Sequence, residues 1–206
     1  MSGVKILYIL LSYVLGSILF SELSVQMFHH KSLMEISANH NPGASNAFRY
    51  GGIPCGIVAV LGDIAKGFFP VFFYDKIFGC QDLGLSLVMM VVALGHAYSL
   101  FYHFRGGMCI AVSFGIMMGL FPQVCPLVVL IVLYLSFLVF RKDSTSMVTM
   151  FVYNLLVLIC AGLFFSHRLG GHMFLGIVFV SLLVCFRMWR DLTETEQKRL
   201  RRFRKK

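Results

Sequence analysis

Three polar stretches interrupt an otherwise oily chain, and their residue types suit one kind of chemistry. The first, SANHNPGASNAFRYGG at 37–52, supplies Ser37, Asn39, Asn41, Gly43, Ser45, Asn46 and Arg49. The second, ALGHAYSLFYHFRGGMCIA at 93–111, supplies His96, Arg105, Gly106 and Gly107. The third, FRKDSTS at 140–146, supplies Arg141 and Ser144. Guanidinium groups clamp phosphates through charge-assisted hydrogen bonds. A Gly-Gly turn opening a helix offers backbone N–H groups where the helix dipole adds about half a positive charge. Arginines, hydroxyls and amides gathered at a lipid surface would suit a phosphorylated, partly apolar ligand. Taken singly, each stretch also has a plainer reading. Asn and Ser cap turns and helices, two glycines make a tight turn, and a lone histidine is a satisfied buried one. Asp63 and Lys66, in LGDIAKGFFPV at 61–71, lie three apart and share a helical face. They are either a structural ion pair or part of a site lining.

The elements that must position these groups are membrane helices. Of 206 residues, 58% are hydrophobic and 13% charged, with a mean hydropathy of +0.82. Soluble domains carry nearly twice that share of charge, about 25%. The apolar residues fall into seven runs, at 4–28, 53–74, 83–101, 109–121, 124–140, 147–165 and 173–186. A span needs about 20 residues, so the fourth and seventh must borrow flanking residues or tilt. The first run has no A-x-A-like site after it and reads as a retained helix. The expected fold is therefore an all-α polytopic membrane protein of about seven transmembrane helices. Residues 1–190 form a single domain, and 191–206 form a basic tail.

Orientation follows the bias of Lys and Arg towards cytoplasmic loops. With the tail in the cytoplasm and the N-terminus outside, fourteen of the eighteen Lys and Arg fall inside. Only Lys5, Lys76 and Arg168 fall outside, and Lys66 lies within a span. Six spans would scatter this bias. The same assignment places Arg49, Arg105 and Arg141 on one side, as walls of one anion pocket. The net charge of +9 is mostly the tail, which reads as a topology anchor on anionic lipid. Nucleic-acid binding would need base-reading or aromatic groups beside the charge, and Trp189 and Phe203 do not supply that. The six cysteines form no C-x-x-C and indicate neither zinc nor a disulfide framework. No metal site is expected.

In these motifs the chain resembles the PlsY family of membrane acyltransferases. The family's S-G-S-G-N-P-G-A-T-N-V-L-R is similar to 37–49 here. Its D-x-x-K-G-x-x-P-V resembles Asp63, Lys66, Gly67, Pro70 and Val71, and its L-G-H and F-K-G-G-K-G-V-A-T resemble 94–96 and 104–112. An Arg-x-x-Ser resembles Arg141 and Ser144. The likeness implies transfer of a fatty acyl group from acyl-phosphate to glycerol 3-phosphate, giving lysophosphatidic acid in the bacterial inner membrane, with no cofactor. It implies catalytic roles for Asn41, Ser45, Asn46, Arg49 and His96. Binding roles go to Ser37, Asn39, Gly43, Lys66, Arg105, Gly106, Gly107, Arg141 and Ser144.

The departures from the family pattern are as specific as the matches. Asn39 and His40 replace a motif serine and glycine, Met108 replaces the lysine of G-G-K-G, and Cys109 and Val112 replace its glycine and threonine. The late R-H-x-x-N-I reads Arg187-Met188-Trp189-Arg190-Asp191-Leu192. A lysine supplies a phosphate with a full charge and three donors, and methionine supplies none. Two further functions follow from this. One is a family member that has lost the reaction and binds lipid or a partner membrane protein. The other is an acyltransferase with a different acceptor. A transporter is disfavoured, because the sequence has no repeated half and no paired broken helices.

Overall fold

The computed structural model describes residues 2–37, 39–79, 82–120 and 171–203. Arg141 and Ser144 lie outside the described residues, as do the fifth and sixth apolar runs. Every regular element described is helical. We number them α1 (Gly3–Gly16), α2 (Phe20–His29), α3 (Leu33–Ile36), α4 (Ala44–Phe78), α5 (Leu83–Ala97), α6 (Ile110–Gly119) and α7 (Gly171–Phe203). A 3-10 turn at Leu100–Tyr102 follows α5. Among the described residues, three helices are long and apolar enough to cross a bilayer, and α1 and α2, bent by 44° to one another, are together long and apolar enough for a fourth.

The bend has a local cause. Ser12 and Ser17 turn their hydroxyls back onto the carbonyls of Tyr8 (2.8 Å) and Tyr13 (2.9 Å). Such back-bonding loosens and bends helices. A second break falls within α4. Pro54 has no N–H to continue the ladder, and Gly52 adopts φ 79° with ψ −177°, a conformation open essentially to glycine alone. The chain of the first motif therefore enters α4 as a short helical segment, turns at Gly52, and only then runs through the apolar stretch.

Lipid is as apolar as leucine, so these helices associate by close packing rather than by a hydrophobic drive. Small residues make the approach possible. A Cβ on Gly16 would come within 2.5 Å of the Val92 carbonyl, and one on Gly95 within 2.5 Å of the Tyr13 carbonyl, so α1 and α5 cross backbone to backbone. Gly67 and Gly115 do the same for α4 and α6. The core between the helices holds Tyr74, Leu85, Met89, Val92, Val112, Ile116 and Ile177. Leu7, Leu10, Leu61, Phe69, Phe73, Leu175 and Leu182 point outward and make an apolar surface fit for lipid.

Contacts at the two ends fix which connections lie together. At one end, Lys5 near the start of α1 pairs with Asp82, the N-cap of α5. Asp82 also accepts from the Tyr74 hydroxyl near the end of α4 (2.9 Å) and from the Gly84 N–H (3.2 Å). At the opposite end lie the α2–α4 connection, the α5–α6 connection and the later part of α7. Asn39 reaches Asp191 at 3.4 Å, and Arg187 reaches the carbonyls of Gly106 (2.5 Å) and Gly107 (3.1 Å). The first two polar stretches thus share one end of the bundle. Helix α7 runs about 50 Å at 1.5 Å per residue, well beyond an about 30 Å hydrocarbon core. Its helix continues unbroken past Arg190 into the basic segment.

Candidate functional site

The α2–α4 connection is folded by its own side chains. Asn46, in the first turn of α4, donates to the Asn39 side-chain oxygen and to the Asn41 carbonyl, both at 2.7 Å. Ser21 of α2 donates to the Pro42 carbonyl (2.5 Å). His40 takes a left-handed backbone (φ 54°) and its Nδ1 meets the Met34 carbonyl at 2.7 Å. Glu22, which the motifs do not flag, is buried and caps α3. Its carboxylate accepts from the N–H groups of Leu33 (3.1 Å) and Met34 (3.0 Å). A buried carboxylate satisfied by helix N-terminal donors is well placed.

The α5–α6 connection is a tight irregular turn. After the 3-10 turn, His103 and Phe104 both take left-handed backbone, with φ of 52° and 57°. The Gly107 N–H donates to the His96 carbonyl (3.0 Å). Sequence reasoning treats the glycine N–H groups as anion donors, but that of Gly107 is committed within the turn. A Cβ on Gly106 would collide with the backbone of His96 and Ala97, and one on Gly107 with the His96 ring. Both positions need glycine for this packing. Arg187 holds the two glycine carbonyls and stacks over Tyr98, with its guanidinium 5.4 Å from the ring centre. By sequence it is tail charge and the arginine of the late R-H-x-x-N-I likeness; its partners lie some 80 residues away.

Between these two connections and α7 lies a cleft of about 340 Å³. The first connection contributes Asn39, His40 and Asn41 to it, and the second Phe104, Arg105, Gly106 and Met108. Helix α7 contributes Arg187, Arg190 and Asp191, which at i, i+3 and i+4 share one face. Three guanidinium groups therefore meet one carboxylate and two amides around a space large enough for a small phosphorylated molecule. Met108 lines this space.

The other residues picked out by sequence lie around the cleft rather than in its lining. Gly43 is the N-cap of α4. Ser45 and Arg49 are exposed on that helix, and Arg49 lies 5.7 Å from the Tyr50 ring centre. Ser37 is buried, and its hydroxyl has no hydrogen-bond partner among the described residues. Lys66 and His96 lie deeper, beneath the glycine turn, 2% and 3% exposed.

Lys66 and His96 belong to a buried hub with Asp63. Lys66 Nζ is 2.9 Å from Asp63 Oδ1 and 2.8 Å from His96 Nδ1, and it donates to the Ile18 carbonyl freed by the α1–α2 break. The ammonium thus has the Asp63 carboxylate as its counter-ion and two neutral acceptors for its protons. This assigns the acceptor role to Nδ1 and the ring proton to Nε2, the atom against Gly107. The hub joins the helix break, α4, the end of α5 and the glycine turn.

Comparison with known proteins agrees with this architecture. Residues 6–198 match the family model described as glycerol-3-phosphate acyltransferase. A protein of that name from Idiomarina loihiensis is 28% identical over 207 residues, covering 99% of this chain and 100% of the relative. One from Pseudomonas aeruginosa is 33% identical over 137 residues, 66% of this chain and 69% of the relative. Among solved structures, the fold is similar to PlsY, an integral membrane glycerol 3-phosphate acyltransferase. The glycerol 3-phosphate form gives a TM-score of 0.78 at 22% identity, covering 96% of this chain and 94% of that one. The lysophosphatidic acid form gives 0.75 at 21% identity over the same shares.

Proposed function

Because this chain belongs to the glycerol-3-phosphate acyltransferase family, we propose that it is a membrane acyltransferase of phospholipid biosynthesis. It transfers a fatty acyl group from acyl-phosphate to glycerol 3-phosphate and releases lysophosphatidic acid and phosphate. The observation that carries the reading is the cleft, where Arg105, Arg187 and Arg190 converge with Asn39 and Asn41 at the end of a lipid-facing bundle. The acceptor hydroxyl attacks the acyl carbon, and the phosphate leaves with the bonding electron pair. The protein's part is to hold the two reactants together and to oppose the charge that develops on the oxygens. Arg105 and Arg190 are the direct phosphate contacts in this proposal. Arg187 both faces the cleft and fixes the turn. Asn46, Asn39 and Asn41 shape the first wall. Lys66 and His96 act from beneath, by holding Gly107. We place residues 1–190 as one domain in a bacterial inner membrane, N-terminus outside and the basic end of α7 cytoplasmic.

Purified protein with acyl-phosphate and glycerol 3-phosphate should form lysophosphatidic acid above a no-enzyme control. Met108 and Asp191, at positions where the family motifs carry lysine and asparagine, favour one rival: a pocket retuned to another acceptor or retired to lipid or partner binding. Met108→Lys separates the readings. If the family reaction survives, the added charge lowers KM for glycerol 3-phosphate modestly from a measurable baseline. If it has been lost, the lysine creates activity from none.

A further inference from the structure

We propose that Glu22 is a positioning residue for acyl transfer, setting the first wall of the cleft from α2; the role rests on the acyl-transfer reading above. A carboxylate within an apolar run is costly, yet Glu22 is only 1% exposed. Its oxygens meet that cost with N–H donors. Oε1 accepts from the Leu33 N–H (3.1 Å) and the Gln26 side-chain amide (2.9 Å), and Oε2 accepts from the Met34 N–H (3.0 Å). Glu22 does not line the cleft. What it holds is the beginning of the 33–42 stretch, whose later residues do.

Hydrogen bonds carry this hold to the cleft. The Leu33 carbonyl accepts from the Ser37 N–H (2.9 Å), and the Ser37 carbonyl from the His40 N–H (3.1 Å). The Met34 carbonyl takes His40 Nδ1 at 2.7 Å. The far end of the stretch is tied to the preceding residue of the same helix, because the buried Ser21 hydroxyl donates to the Pro42 carbonyl (2.5 Å). Two consecutive residues of α2 thus clamp both ends, and Asn39, His40 and Asn41, which line the cleft, lie between the ties. His40 shows why a clamp is needed. Its φ of 54° is unfavourable for a residue with a Cβ and persists only where the surroundings over-determine it. Glutamate suits the task because two N–H groups need two acceptor oxygens. Glutamine has one, and its amide would turn a donor onto a donor.

The test is Glu22→Gln in purified protein, with rates taken well below the melting range of every variant. A displacement of about 1 Å in a positioned group costs on the order of 10²-fold, so kcat/KM for glycerol 3-phosphate should fall at least about tenfold. Amide exchange over residues 33–42 should quicken while that of α5 stays as in wild type. A double-mutant cycle separates positioning from general weakening. Asn41→Ala, on the clamped wall, should cost at least about threefold less in the Glu22→Gln background than in wild type. Arg105→Ala, on the opposite wall, should cost the same factor in both backgrounds, within about twofold. Ser21→Ala loosens the other tie and should give the same pattern with at least about a threefold loss, so the role stays testable if the glutamine variant does not fold. Wild-type transfer with a Glu22→Gln kcat/KM within about twofold of it overturns the role alone, as does unchanged exchange over 33–42 or equal coupling to both walls. Absence of transfer by the wild-type protein overturns the acyl-transfer reading as well, and the exchange comparison then still decides whether the clamp exists.

Discussion

Replacing Lys66 by methionine separates a structural hub from a substrate contact. Lys66 and Asp63 have side chains 1% and 2% exposed, 2.9 Å apart. Removing one member of a buried pair leaves the other uncompensated and costs about 3–5 kcal/mol. For a chain of this size, 1 kcal/mol moves the melting midpoint by about 2–4 °C, so Lys66→Met should melt roughly 6–20 °C lower. Losing the bonds to the Ile18 carbonyl and His96 Nδ1 acts in the same direction. The double variant Asp63→Leu, Lys66→Met replaces the pair by apolar groups, often a nearly neutral exchange, and should regain at least half the loss. The assay is thermal unfolding of purified protein in one detergent, with substrate-free samples. A single variant melting within about 2 °C of wild type refutes the hub. So does a double variant no more stable than the single. A raised KM with unchanged melting would instead make Lys66 a substrate contact.

Three further outcomes are expected. Arg187→Lys keeps the charge but not the fork that spans the Gly106 and Gly107 carbonyls; losing one charge-assisted bond of about 1.5–3 kcal/mol should cut kcat/KM by roughly 10–150-fold, read by initial rates. Gly107→Ala drives a methyl into the His96 ring; activity should drop at least tenfold and melting by several degrees, about 1–3 kcal/mol of overpacking. Asp82 is held at about 2, below its usual 3.8, chiefly by the hydrogen bond from Lys5. A depressed carboxylate stabilises the fold above its unfolded pKa, and that contribution disappears as pH falls from about 4 to about 2. Asp82→Asn should flatten this part of the melting-versus-pH curve, and an unchanged curve would contradict the assignment.

How much of this was legible in the residues depends on the distance over which each contact acts. The 37–49 motif is local, and its turn chemistry is written in Asn, Pro and Gly. The charge bias likewise brought Arg105 and the α7 end to the side of the first motif, where the Asn39–Asp191 and Arg187–Gly106 contacts hold them. The bend after Gly16 was not legible, because serine back-bonding leaves no break in an apolar run. Nor was the start of α4 at Ala44, since its first turns are polar and read as loop. Lys66 and His96 were legible as costly polar residues but not as neighbours, since only the packing of α4 against α5 joins positions 30 apart. Arg187 gave a topology signal in sequence, and its grip on the glycine turn appears only in three dimensions.

The most direct test of the whole account lies in the cleft. Purified wild-type protein and the variant Arg105→Ala, in matched lipid, would be given acyl-phosphate and glycerol 3-phosphate while lysophosphatidic acid and released phosphate are both followed. The account predicts equal release of the two products by wild type, and at least a tenfold loss of kcat/KM in the variant, the equivalent of about 1.4 kcal/mol. Phosphate release without lysophosphatidic acid, or a variant as active as wild type, would contradict it.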